Sequence, residues 1–162
     1  MIRSVFLGAC VFALPFVATA SPLPQNAEFT TPILDAPSEI VSIFGVDQDP
    51  VTGSVRFQTG INIGAQMGQP VAAPAAGEVV FAGHAPGYGR RVDLRVSETM
   101  VIRFGHLSSL SVSVGQTVDP GEIVGEVGST GPEAEPHLHV AVKESEAFDD
   151  PTDVKGLVLI SD

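Results

Sequence analysis

The sequence is poor in several residue types on which exported domains and enzymes often rely. It has one cysteine, Cys10, no tryptophan, one tyrosine, and only Lys143 and Lys155 as lysines. Basic residues are scarce throughout: 8 Lys and Arg stand against 19 Asp and Glu, for a formal charge of −11. That balance argues against nucleic acid and anionic lipid surfaces as partners, since both need a cationic face. The longest apolar run, residues 5–17, is too short and too broken by Pro15 to span a bilayer. No window carries a helical period with caps at its ends.

That apolar run is instead the core of an export signal over residues 1–20. Arg3 supplies the positive start, and Ala18-Thr19-Ala20 supplies the small-residue cleavage site before Ser21. Cys10 lies within the apolar run with more apolar residues after it, so a lipid-modified N-terminus is not the expectation. Cleavage leaves 142 residues with 7 basic and 19 acidic side chains, a net charge of −12 with neutral histidines. It also removes the cysteine, so disulfides and thiolate metal ligands are excluded. The mature protein is expected to have no transmembrane segment and to be exported, periplasmic or secreted.

Glycine and proline, by contrast, are plentiful, at 17 and 13. Spread among short apolar runs, they predict an all-β domain of short strands, a small antiparallel β-sandwich with a groove between loops. Residues 21–39 are rich in proline and small polar side chains and read as an extended leader or linker. The domain is expected over residues 40–155, followed by a tail over residues 156–162. Residues 40–45 read as an apolar strand and 46–54 as a turn. Val92, Leu94 and Val96 alternate with Asp93 and Arg95, and Met100, Ile102 and Phe104 alternate with Val101 and Arg103, which predicts a hairpin across Ser97 to Thr99.

The richest stretch runs from Phe104 to Val142. It opens with Phe104-Gly105-His106-Leu107 and closes with Pro136-His137-Leu138-His139. Strand alternation puts His137 and His139 on one face, and Leu138, Val140 and Val142 on the other, which should be core. Paired imidazoles above an apolar sheet suit half of a metal or acid/base site. Upstream, Gln58, Gly60 and Asn62 are expected to share a strand face, with Phe57, Ile61 and Ile63 opposite and Gly60 leaving open space between the two amides. His84, in Gly83-His84-Ala85-Pro86, reads as a solvated loop residue.

These motifs resemble the lysostaphin/LytM-type zinc peptidases that cut peptide cross-bridges in bacterial peptidoglycan. The family pattern G-x-P-V-x-A-P is met by Gly68-Gln69-Pro70-Val71-Ala72-Ala73-Pro74, and G-x-V-V-x-A-G by residues 77–83. Y-x-H-L corresponds to residues 104–107, the glycine-spaced run to residues 115–131, and P-H-L-H to residues 136–139. Asp150-Pro151 matches a frequent end of the domain. The resemblance covers about residues 41–152.

The resemblance implies a duplicated hybrid-motif fold, and it implies roles. His139 occupies a zinc-ligand position, and His106 and His137 occupy catalytic positions. The other two ligand positions, His and Asp in the family, hold Gln58 and Asn62 here. Neutral amides are poor zinc donors, and the Asp-to-Asn change removes a charge that offsets the metal. Phe104 replaces a family tyrosine, and Ala141 replaces a common glutamate. The expectation is therefore a degenerate member that binds no zinc or other cofactor and does not hydrolyse peptides. Inactive members of this family can regulate other cell-wall hydrolases, so the expected partner is peptidoglycan or a hydrolase such as an amidase. The alternative is a zinc endopeptidase with an altered ligand set, in which Glu133 or Glu135 replaces a lost ligand. A third reading is a peptidoglycan-binding module that uses the old substrate groove. Lipoyl and biotinyl carrier domains share part of the glycine pattern, but they need a lysine at a hairpin tip, and no lysine precedes Lys143.

Overall fold

The computed structural model describes residues 23–35, 38–48, 53–132 and 135–161. The export-signal residues, Cys10 and Glu133 lie outside the described residues. Within them the chain is all β, without a helix. The strands are β1 (Glu39–Ser42), β2 (Gly45–Gln48), β3 (Val55–Gln58), β4 (Ile61–Gly64), β5 (Pro70–Ala72), β6 (Gly77–Ala85) and β7 (Gly89–Arg95). They continue with β8 (Met100–Leu107), β9 (Ser109–Leu110), β10 (Thr117–Val118), β11 (Ile123–Glu126), β12 (His137–Glu144) and β13 (Ala147–Asp149).

The main sheet runs β1-β4-β12-β8-β7-β6-β10, with β13 added to β12. A second sheet, β5-β11-β9, and the β2-β3 hairpin complete the set, and all named pairings are antiparallel. The predicted hairpin is β7-β8, with Arg95 opposite Val101. Leu138, Val140 and Val142 are fully buried as expected, packed with Ile61, Ile102 and Phe104. Burying such side chains contributes about 1.5–3 kcal/mol each. Tight turns fall at Gly115 and Gly121, which take φ of 84° and 85°, open to glycine at little cost.

Three expectations need correction. The proline-rich leader is extended but not loose. Ile33 and Leu34 are fully buried, and Ala72 N–H donates to Ile33 C=O at 2.9 Å. Ile33 and Leu34 N–H donate to the carbonyls of Val158 and Leu159, so the presumed tail is paired with the leader against the core. Proline removes backbone donors, but it does not stop two neighbouring aliphatic side chains from being buried.

The expected turn at residues 46–54 begins with a strand instead. Residues 45–48 form β2, while Ile40, Val41 and Ile43 stand exposed.

The third correction concerns residues 57–63, which are not one strand. β3 ends at Gln58, the chain bends at Thr59 and Gly60, and β4 begins in a different sheet. Phe57 is therefore exposed, while Ile61 and Ile63 are fully buried. Gly60 leaves no open space either. A Cβ there would lie 2.2 Å from the Val140 carbonyl oxygen and 2.9 Å from the Ala141 Cβ.

Candidate functional site

The site lies on the outer face of the main sheet, where β4, β12 and β8 run side by side. Register sets Asn62 opposite His139, and His139 opposite Gly105. The Thr59-Gly60 bend folds Gln58 back toward the same place. Gln58, Asn62, His106, His137 and His139 are each less than one-tenth exposed. Gln58, Asn62, His106 and His139 line a groove of about 320 Å³ with Tyr88, Thr59 and Pro132. His137 lines an adjoining hollow of about 370 Å³ with Val41, Glu135 and Pro136. The five residues singled out from the sequence are thus brought together.

Hydrogen bonds fix the floor of the groove. His139 Nδ1 and Asn62 Oδ1 are 2.8 Å apart, the ring N–H donating to the amide oxygen. Ser42 Oγ donates to Gln58 Oε1 at 3.1 Å. His137 Nδ1 bonds the backbone carbonyl of Glu135 at 2.8 Å, so Glu135 reaches the site through its main chain. His106 sits between its fellows, with ring centroids 4.6 Å from His137 and 5.6 Å from His139. Its backbone is held at φ 64°, a conformation that costs a non-glycine residue energy and is found most often at functional sites. A bond from its N–H to the Tyr88 carbonyl at 2.7 Å holds it there. Gly131 lies so close that a Cβ would be 2.0 Å from His106 Nδ1.

Burial lowers the His139 pKa to about 3, with help from the His106 and His137 imidazoles and the Arg103 charge. His139 is therefore a neutral ring at neutral pH. Arg103 lies beyond Tyr88, its guanidinium carbon 4.8 Å from the centroid of that ring. It binds Asp93 through two nitrogens, each at 3.0 Å, and Arg91 meets the same carboxylate. Burial lowers the Arg91 pKa despite Asp93. Burial works against Arg103 as well, but its bonds to Asp93 and Tyr88 leave the pKa raised.

The sequence reading missed Tyr88, whose ring stands 5.4 Å from His139 and whose hydroxyl is 3.2 Å from Thr59 Oγ1. The signal was available, because the single tyrosine lies between glycines in a loop. Phe104 is corrected in the opposite sense. It is fully buried in the apolar core and does not line the groove, so a missing hydroxyl there says nothing about the chemistry. His84 is exposed at the end of β6, opposite Arg90, and not in a loop.

The donor set decides whether these residues suit zinc. Each amide oxygen that would have to face the metal already accepts a hydrogen bond, from Ser42 or from His139. Both amides are neutral, and neither can ionise to offset the charge of the metal. Zinc takes deprotonated or anionic donors by preference, so the residues present do not fit it.

An H-x-H strand at the centre of an antiparallel sheet, flanked by a groove, is the build of a lysostaphin-like peptidase domain. The model of peptidase family M23 matches residues 56–151, and the chain belongs to this family. The DD-carboxypeptidase/endopeptidase Mpg of Neisseria meningitidis serogroup B is 40% identical over 102 residues, 63% of this chain and 24% of that protein. The cell division protein DipM of Caulobacter vibrioides is 38% identical over 106 residues, 65% of this chain and 17% of that protein. Among solved structures, the catalytic domain of the prophage-encoded M23 protein EnpA from Enterococcus faecalis superposes with a TM-score of 0.66 at 28% identity. That match covers 78% of this chain and 98% of that one. The chain thus spans about a quarter or less of the length of these two curated relatives.

Proposed function

We propose that this is an exported M23-family domain that binds peptidoglycan peptides in its groove without hydrolysing them. Through that binding it influences hydrolysis of the cell wall by other enzymes, amidases among them. One observation carries the reading. Asn62 and His139, at two of the family's three ligand positions, are hydrogen-bonded to each other, and the third position holds a neutral amide bonded to Ser42. The groove itself is intact and lined by buried polar side chains, which suits a ligand-binding role. The names of the relatives point to the same setting, one a carboxypeptidase/endopeptidase and the other a cell division protein.

The test is co-sedimentation of the purified protein with isolated peptidoglycan, followed by analysis of the supernatant for released peptides. The protein should sediment with the wall and release nothing, with or without added zinc. Peptide release that a chelator abolishes would contradict the proposal.

A further inference from the structure

His139 lines the groove, yet its Nε2 exposes less than 1 Å² and meets no hydrogen-bond partner among the described residues. Two rings stand against it, with centroids at 5.4 Å for Tyr88 and 5.6 Å for His106. His106 is itself buried, so Tyr88, which is partly exposed, is the ring on the solvent side. Tyr88 comes from the turn between β6 and β7, but its hydroxyl lies 3.2 Å from Thr59 Oγ1, in the bend before β4. In the main sheet β8 and β12 run between β7 and β4. The side chain therefore lies across the two strands that carry His106 and His139. A glycine makes room for it there. A Cβ on Gly105, opposite His139 in register, would be 3.3 Å from Tyr88 Cδ1. The guanidinium carbons of Arg103 and Arg91 lie 4.8 and 5.3 Å from the ring centroid, and Asp93 holds both arginines. The Tyr88 backbone is tied down, its N–H donating to Ala85 C=O at 3.1 Å and its C=O accepting from His106 N–H at 2.7 Å. Movement is left to the side chain.

We infer that Tyr88 is a latch: its side chain closes the groove over His139 in the free protein and swings off, breaking the bond to Thr59, when a ligand enters. The two states are finely balanced. Closing gains one hydrogen bond, one ring contact on His139 and two cation–π contacts, each of them weak. Closing also leaves His139 Nε2 buried without a partner, a cost that opening relieves by admitting water. A closed state held so lightly leaves an open population of about 0.1–10%, within reach of a ligand that binds the open form better. The inference rests on the proposal that the groove takes a ligand. Its test uses none, so the latch can fail while that proposal stands, and the reverse.

The experiment acylates the folded mature chain at neutral pH with diethyl pyrocarbonate, which modifies neutral imidazoles, and reads each histidine by mass spectrometry. His84 is exposed and serves as the internal reference. In the native protein His139 should react about tenfold or more slowly than His84, because only the open fraction is reachable. Thr59→Val keeps the shape of the side chain and removes the hydroxyl. It should speed the reaction of His139 by about two- to tenfold, the shift expected from losing one net hydrogen bond. Tyr88→Ala should speed it further, and neither variant should change His84. Tyr88 is the single tyrosine of a chain without tryptophan, so intrinsic fluorescence reports this ring alone. Acrylamide should quench that fluorescence more strongly in Thr59→Val than in the native protein.

Reaction of His139 as fast as that of His84 in the native protein would overturn the inference, because the groove would then stand open. So would protection of His139 that persists in Tyr88→Ala, which would place the cover elsewhere. A response to Tyr88→Ala with none to Thr59→Val, in labelling and in quenching alike, would make Tyr88 a fixed wall and overturn the latch. Tyr88→Phe breaks the same bond from the other side and takes the place of Thr59→Val in the labelling if that variant does not fold. The native comparison of His139 with His84 needs no variant at all.

Discussion

Asn62 and His139 are 77 positions apart in the chain, yet neighbouring strands bring them to a 2.8 Å hydrogen bond on the groove floor. That bond fixes the tautomer of His139 and ties together two positions that would have to open toward a shared metal. The account of the site follows from this pair.

The pair makes stability depend on pH in a defined direction. The His139 pKa is about 3 in the fold, against about 6.5 for a histidine in the unfolded chain. Between those values the unfolded state binds a proton that the folded state does not. Stability from this group is therefore complete above about pH 6.5 and declines as the pH falls toward 3, by up to about 1.4 kcal/mol per unit. Urea midpoints measured from pH 7 to pH 4 should fall more steeply for the native protein than for His139→Gln. Parallel curves would show that His139 titrates as an ordinary exposed histidine.

The leader is predicted to be part of the folded unit. Ile33 is fully buried and bonded through its backbone to both Ala72 and Val158. Ile33→Ala should cost about 2–4 kcal/mol, the range of large-to-small changes in a packed core. Chemical denaturation measures this. A loss below about 0.5 kcal/mol would mean that the segment does not stay docked in solution.

Gly60 should not tolerate a side chain. A Cβ would run into the Val140 carbonyl on β12, so either the bend or the central strand must shift. Gly60→Ala is expected to cost about 1–3 kcal/mol and to disturb Gln58, which adjoins the bend. Thermal melting together with the NMR signals of the groove histidines would detect both effects. An unchanged melt would argue against this close approach.

The parts of this architecture that were legible in the sequence are those set by local periodicity. The alternation along β12 placed Leu138, Val140 and Val142 in the core because side chains on a strand change faces at every residue. The β7-β8 hairpin was legible for the same reason. Contacts between distant segments left no such trace. Ile33 and Leu34 sit among prolines, and only their pairing with residues 158–161 reveals them as core. The stretch from Phe57 to Ile63 keeps an alternating pattern, but the Thr59-Gly60 bend interrupts the strand and turns Phe57 to solvent. The motif supplied the five buried site residues by position, whereas Tyr88 enters the groove through a loop whose path no alternation predicts. Phe104 shows the opposite failure: a motif position suggested a role in the groove, and strand geometry sends the ring into the core.

Restoring the family's ligand types tests whether the framework has been kept. Gln58→His and Asn62→Asp together replace two neutral amides with an imidazole and a carboxylate and release His139 from its amide partner. The double variant should bind one zinc per chain, measurable by competition with a chromogenic chelator, and each single variant should bind it far more weakly. Failure of the double variant to bind zinc, with its fold intact, would mean that the groove geometry has drifted from that of a metal site.

The most direct measurement is the metal content of the unaltered protein, purified without chelators, equilibrated with zinc and then dialysed. The account predicts well below one zinc per chain, no difference between native protein and His139→Ala, and no cleavage of peptidoglycan peptides. One tightly held zinc per chain, lost in His139→Ala along with chelator-sensitive cleavage, would contradict the account and make this groove the active site of a peptidase.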